Sequence, residues 1–191
     1  MARQAHLLAG LSAENIDELR RQCEHASGDR KAACPLFWTL GANQVGKAAI
    51  SGWLEVVKPA LRLGALLRPF EGDLSLLAEA GKLVICETYP AEAYGHVGVR
   101  FRVGGSKQRT EDRRDATAEL ANRCNKNNIT LTPAMKDVLT AGFGLGKSGE
   151  DPFDATIGLL GMIEVVEGGR TEAPEAIPAR EWEGWILGQA K

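Results

Sequence analysis

A single segment of this chain reads convincingly as a β-strand, and helical patterns surround it. Lys82-Leu83-Val84-Ile85-Cys86-Glu87 is a short apolar run with a charge at each end, and the turn residues Thr88-Tyr89-Pro90 follow at once. A lone strand is not a fold, because its backbone N–H and C=O groups need partners on both sides. The pattern therefore predicts either a largely helical chain or a sheet whose other strands are missing.

The remaining signals are helical. Ser12 to His25 predicts a helix capped by Ser12, with acids early and arginines late as the helix dipole favours. Residues 44–67 predict a longer helix, in which Ala48, Ala49, Ile50, Trp53, Leu54, Val57, Leu61 and Leu63 fall at the spacing of a buried face. Pro59 should kink or divide it. Shorter helices are predicted over Leu74–Ala80, Pro90–Tyr94, Arg109–Asn125 and Thr132–Ala141. Ala116, Leu120 and Cys124 form the stripe of the third, and Thr132-Pro133 is a helix start of the fourth. The most apolar helix opens at Asp151-Pro152-Phe153-Asp154 and runs to Ile163. Gly142–Gly149 is a flexible connector into it, and the tail beyond Gly168-Gly169 is loop-like.

Composition narrows the class. A chain of 191 residues with 44% hydrophobic side chains can build a core, and one domain spanning 1–191 is expected. A formal charge of −2 promises no broad basic surface, so any phosphate contact must be local or come through a metal. Cys23, Cys34, Cys86 and Cys124 show no zinc spacing, which predicts reduced thiols in a cytoplasmic protein. No apolar run approaches the ~20 residues of a membrane span, and the start lacks the apolar core of a signal peptide.

Three carboxylates carry the chemistry. Glu87 closes the strand; Asp151 and Asp154 open the apolar helix, with no lysine or arginine next to any of them in sequence. If the helix packs beside the strand end, the acids converge. Converging carboxylates repel unless protonated or sharing a cation, and Mg²⁺ or Mn²⁺ prefers such oxygen ligands. The competing reading is structural: an acid at the N-cap, proline next and an acid two further on is an ordinary helix start, and Glu87 equally suits a cap or a solvent-facing turn. Glu150 is a further acid within reach. Lys107, Arg109 and Arg113 are candidate phosphate contacts, although Glu111, Asp112 and Asp115 alternate with them as on a solvated face. Residues 141–148 also fit a relaxed phosphate-loop pattern, which requires a preceding strand and a helix directly after it.

Several segments together resemble one family: Ala33-Cys34-Pro35-Leu36-Phe37-Trp38-Thr39-Leu40-Gly41, Gln44-Val45-Gly46-Lys47-Ala48-Ala49-Ile50-Ser51-Gly52-Trp53, Glu87-Thr88-Tyr89-Pro90, Asp151-Pro152-Phe153-Asp154-Ala155 and Glu183-Gly184-Trp185-Ile186-Leu187-Gly188-Gln189. In this order, from about Cys23 to Gln189, they resemble the domain-of-unknown-function 429 family, regarded as predicted nucleases of the ribonuclease H-like fold. The resemblance implies an α/β sheet opened by three antiparallel strands, with metal-binding acids on the first strand, at the end of the fourth and on the last helix. Glu87, Asp151 and Asp154 match the latter two positions. Nothing before Ser12 matches the family's glycine-rich, aspartate-bearing first strand, and Met1–Leu11 is too short for three strands. The expectation is thus a helix-rich, partial ribonuclease H-like domain lacking its amino-terminal strands. Its implied activity is a Mg²⁺- or Mn²⁺-dependent nucleic-acid phosphodiesterase, with Glu87, Asp151 and Asp154 as catalytic metal ligands. The alternatives are a non-catalytic interaction module that self-associates or pairs through an uncovered sheet edge, and a nucleotide-binding protein using residues 141–148.

Overall fold

A computed structural model describes residues 4–28, 30–40, 45–79, 81–173 and 180–189. Among these residues the architecture is mixed α/β and helix-rich, with one two-stranded parallel sheet. The chain forms two compact units, Met1–Glu87 with Ala173–Lys191, and Thr88–Glu172. No helix among the described residues is long and apolar enough to cross a membrane.

In the first unit, the helix predicted from Ser12 to His25 does not form. A short helix, α1 (Gln4–Gly10), precedes the segment, and its place is taken by two single 3₁₀ turns, Ile16–Leu19 and Gln22–Glu24. Ser12 adopts a positive φ of 55°, whereas an N-cap needs extended backbone. Asn15 is the cap instead, its side chain accepting from Asp17 N at 2.9 Å.

The long helix is present in three pieces. They are α2 (Val45–Gly52), a π-turn (Trp53–Val57) and α3 (Lys58–Arg62). The predicted start at Gln44 lies outside the described residues. Pro59 has no N–H to give, and the widened turn just before it absorbs that loss, as π-bulges do. The face predicted to be buried is largely in solvent: Ile50, Trp53, Leu54 and Leu63 are all exposed, Leu63 at 89%.

The helix stops earlier than predicted. Gly64, at φ +89°, follows the last turn and releases the chain into extended backbone. There β1 (Leu66–Leu67) finds the partner that the lone strand lacked. It pairs in parallel with β2 (Val84–Ile85), Leu66 opposite Val84 and Leu67 opposite Ile85. Leu66 N donates to Leu83 O at 2.8 Å and Arg68 N to Ile85 O at 3.0 Å. The crossover carries α4 (Leu74–Glu79), as parallel pairing demands; the predicted end at Ala80 is outside the described residues. The regular strand is thus two residues of the predicted six.

Among the described residues the tail is irregular, as expected, apart from α9 (Arg180–Glu183), and Trp185, Ile186, Leu187 and Gln189 beyond it are nonetheless buried. Leu187 N donates to Glu87 O at 2.9 Å, and Gln189 Nε2 to Cys23 O at 2.5 Å.

The second unit holds α5 (Pro90–His96), α6 (Thr110–Lys126), α7 (Pro133–Thr140) and α8 (Glu150–Val166). The stripe Ala116, Leu120 and Cys124 faces a core with Phe153, Ile157 and Leu160. Thr132 caps α7 as its sequence predicts, accepting from Met135 N at 3.2 Å. Close approach of α5 to α8 rests on absent side chains: a Cβ at Gly161 would lie 3.1 Å from Ala93 Cβ, and one at Gly158 would lie 3.0 Å from Thr88 Cγ2. At the far end, buried Glu164 joins α8 to α6 through Arg123 and Asn127.

Candidate functional site

The start of α8 presents Glu150 and Asp154 four residues apart, hence on one helical face. Both side chains converge on a single ammonium. Lys107 Nζ donates to Asp154 Oδ2 and lies 3.1 Å from Glu150 Oε1. The other oxygen, Asp154 Oδ1, accepts from the Tyr94 hydroxyl of α5. Tyr94 is oriented by its ring contacts, stacked on Phe153 at 5.9 Å and edge-on to Phe101 at 5.7 Å.

Charge at this cluster follows from its partly buried position. Burial works against the Lys107 charge, but its hydrogen bonds to Asp154 and then Glu150 outweigh that and hold the ammonium above its ordinary range. Burial pushes the Tyr94 phenol up, and the adjacent Asp154 carboxylate adds to the effect. Tyr94 is therefore a neutral hydroxyl donor at working pH.

Lys107 arrives here because of Arg113. This α6 side chain is 0% exposed, and its guanidinium is spent on three backbone carbonyls: Gly142 at 2.8 Å, Gly144 at 2.7 Å and Lys107 at 2.5 Å. It ties the loop carrying Lys107 to the loop that runs into α8. Gly149 is part of the same fitting, since a Cβ there would lie 2.3 Å from Arg113 Nη2.

Of the expected basic contacts Arg113 is corrected by its burial, and the phosphate-loop pattern loses its context. Arg113, wholly enclosed, has no face to offer a phosphate. Arg109 pairs with Asp112 at 2.6 Å, and Asp112 is itself buried. The glycine-rich stretch follows α7 rather than a strand, and its carbonyls face a guanidinium, so residues 141–148 lack the anion-cradling context of a phosphate loop.

The three sequence-derived acids are placed as follows. Glu87 belongs to the first unit, where both its oxygens are taken by Arg21, at 2.7 Å and 2.6 Å. Arg21 also donates to buried Glu24 at 2.9 Å. The pairing raises the Arg21 guanidinium above its ordinary range although burial opposes its charge. Asp151 and Asp154 belong to the second unit. Asp151 is exposed in the first turn of α8 and is not its cap; Gly149 takes that position, because the helix starts one residue before Asp151. Neither Glu87 nor Asp154 has a basic neighbour in sequence, yet neither carboxylate is without a cation in space. Each has found a basic partner remote in sequence.

Among the described residues, no group of three or more His, Cys, Asp or Glu is arranged to hold a metal. The pair Glu150 and Asp154 nonetheless offers hard oxygens around one positive charge. That donor set fits Mg²⁺ or Mn²⁺, which is commonly held by one or two carboxylates and completed by water and phosphate. Tyr94 and Arg21 carry no local signal that marks them as site residues, since their partners lie 60 and 66 positions away. A separate cavity of about 310 Å³ in the first unit is lined by Leu7, Leu11, Pro35, Phe37 and Trp38. It adds no chemistry, because the Arg21 guanidinium at its wall is already saturated by carboxylates. Comparisons of the chain with models of protein families, with curated proteins and with solved structures return no match.

Proposed function

We propose that the chain is a divalent-metal-dependent phosphodiesterase of the ribonuclease H-like class, with Asp154 and Glu150 as the groups that would hold Mg²⁺ or Mn²⁺. The observation that carries this reading is the capture of one cation by two carboxylates on one face of α8. When bound, such an ion supplies Lewis-acid stabilisation of phosphoryl oxygens and an acidified water. Tyr94 holds Asp154 in one orientation through Oδ1, with Oδ2 turned to the position that Lys107 occupies and a metal ion would take. Lys107 supplies an ammonium suited to a phosphate oxygen, and Asp151, exposed beside the pair, is the residue to orient water. Glu87 is given no step in this reading; its carboxylate is held by a two-point pair with Arg21 in the first unit. The family resemblance supports nucleic acid as the substrate class.

Calorimetric titration of Mn²⁺ tests this reading, with hydrolysis of bis(p-nitrophenyl) phosphate as the companion assay. Asp154→Asn and Glu150→Gln should each weaken Mn²⁺ at least about tenfold, or roughly 1.4 kcal/mol. Absence of binding, or affinity unchanged in both variants, ends the proposal.

A second reading, an interaction module that pairs with another copy of itself, is favoured by one observation. Ile50, Trp53, Leu54 and Leu63 along 50–63, and Leu83 beside β2, are exposed apolar side chains. Sedimentation velocity across a concentration series distinguishes it: association in the wild type that Leu54→Glu abolishes supports the module, and a monomer throughout excludes it.

A further inference from the structure

In the first unit, α2, the π-turn and α3 follow one another without a break, and of their residues Gly46 alone is buried. Gly46 fixes the start of the segment. Its N–H donates to Trp38 O at 2.7 Å, and a Cβ there would strike the Phe37 backbone. Beyond that anchor, Lys47, Ile50, Leu54, Lys58 and Arg62 succeed one another at steps of three or four positions, the spacing of one helical stripe, and all five are exposed. Trp53 and Val56 beside them, and Leu63 just past the end, are exposed apolar side chains as well. Phe37, exposed too, carries the apolar surface on to the cavity of about 310 Å³ that it lines.

The charge on this stripe has one sign. Over 45–63, Lys47, Lys58 and Arg62 stand against Glu55 as the one acid, in a chain whose formal charge is −2. Among the described residues none of these three cations is in an ion pair. Arg21, Lys107, Arg109 and Arg123, by contrast, are each paired within the fold.

We infer that the exposed stripe of 45–63 is a docking face for an anionic lipid bilayer, with the helix lying in the plane of the headgroups. Ile50 and Leu54 enter the boundary of the acyl chains. Trp53 suits the headgroup level, where its ring is apolar and its N–H stays wet. Lys47, Lys58 and Arg62 meet lipid phosphates. Charge complementarity selects this occupant. A second copy laid on the same face would set like cations against one another, and a neutral apolar partner would bury them without counter-charge. The face shares no residue with the α8 cluster, so it stands whatever that cluster binds.

The test is co-sedimentation of the full chain with vesicles of phosphatidylglycerol and phosphatidylcholine in equal parts, set against phosphatidylcholine alone. The mixed vesicles should bind at least about tenfold more tightly, and salt should weaken them selectively. Lys58→Gln with Arg62→Gln should lower affinity about 25-fold, near fivefold for each cation. Leu54→Ser should lower it about tenfold or more through lost apolar burial. A blue shift of tryptophan emission on adding mixed vesicles should shrink in Trp53→Phe. All these side chains are exposed, so each variant should keep the wild-type urea midpoint. No co-sedimentation, equal binding to both vesicles, or binding that neither the cation pair nor Leu54→Ser alters overturns the inference. Self-association abolished by Leu54→Glu, without vesicle binding, also overturns it and assigns the face to a second copy.

Discussion

Arg113 shows how one side chain can organise a site that it never enters. A buried guanidinium is tolerated only when its donors are satisfied, and here three carbonyls from two loops satisfy them. Replacement by alanine leaves those carbonyls buried and unpaired, and should cost about 3 kcal/mol in urea unfolding. Lysine keeps the charge but not the planar fork, so Arg113→Lys should recover less than half of that loss. His96 on α5 sets a pH limit on the second unit. Burial, then the nearby Arg170, lowers its imidazole to about 4, with Glu164 acting in the opposite sense. The folded state thus favours neutral His96. That contribution is complete above the unfolded value near 6.5 and is lost as pH falls toward 4. Stability should drop by about 2 kcal/mol across this window, and His96→Gln should flatten the drop.

The element that carries the candidate chemistry is α8, and its two ends have separate duties. Glu150 and Asp154 occupy the start, where carboxylates also suit the positive end of the helix dipole. Glu164, near the other end, is locked to Arg123 and Asn127, and these hydrogen bonds hold its carboxyl below the usual range against the effect of burial. Between them, Gly158 and Gly161 let α5 approach and bring Tyr94 to Asp154. Gly161→Val should force the helices apart, at a cost of about 1–3 kcal/mol by thermal denaturation, and weaken any binding that depends on Asp154. Much of this element was legible in its sequence. The apolar run is long, and proline with acids marks its beginning. The exact cap was not legible, because a 3₁₀ turn at Gly146–Gly149 winds directly into the helix and moves its start to Glu150.

At the scale of the molecule, apolar patterning and burial part company. In the second unit the pattern is honoured: Leu120 is fully buried, and Leu120→Ala should cost about 2–5 kcal/mol in equilibrium unfolding. In the first unit, Leu54 carries an equally helical signature yet is 59% exposed, so Leu54→Glu should change stability by less than about 0.5 kcal/mol. The sequence by itself determined the local features: the α7 start at Thr132-Pro133, the α6 stripe, the break near Pro59, the apolar body of α8 and the strand around Val84. Those signals lie within one or two turns of the residues they govern. Only the tertiary structure decided what each charge and each strand would meet. β1 was hidden inside a helical pattern until Gly64 ended the helix. Glu87 received Arg21 from 66 residues away, and Asp154 received Lys107 from 47. Such pairings depend on the path of the chain through space, and residue spacing carries no record of that path.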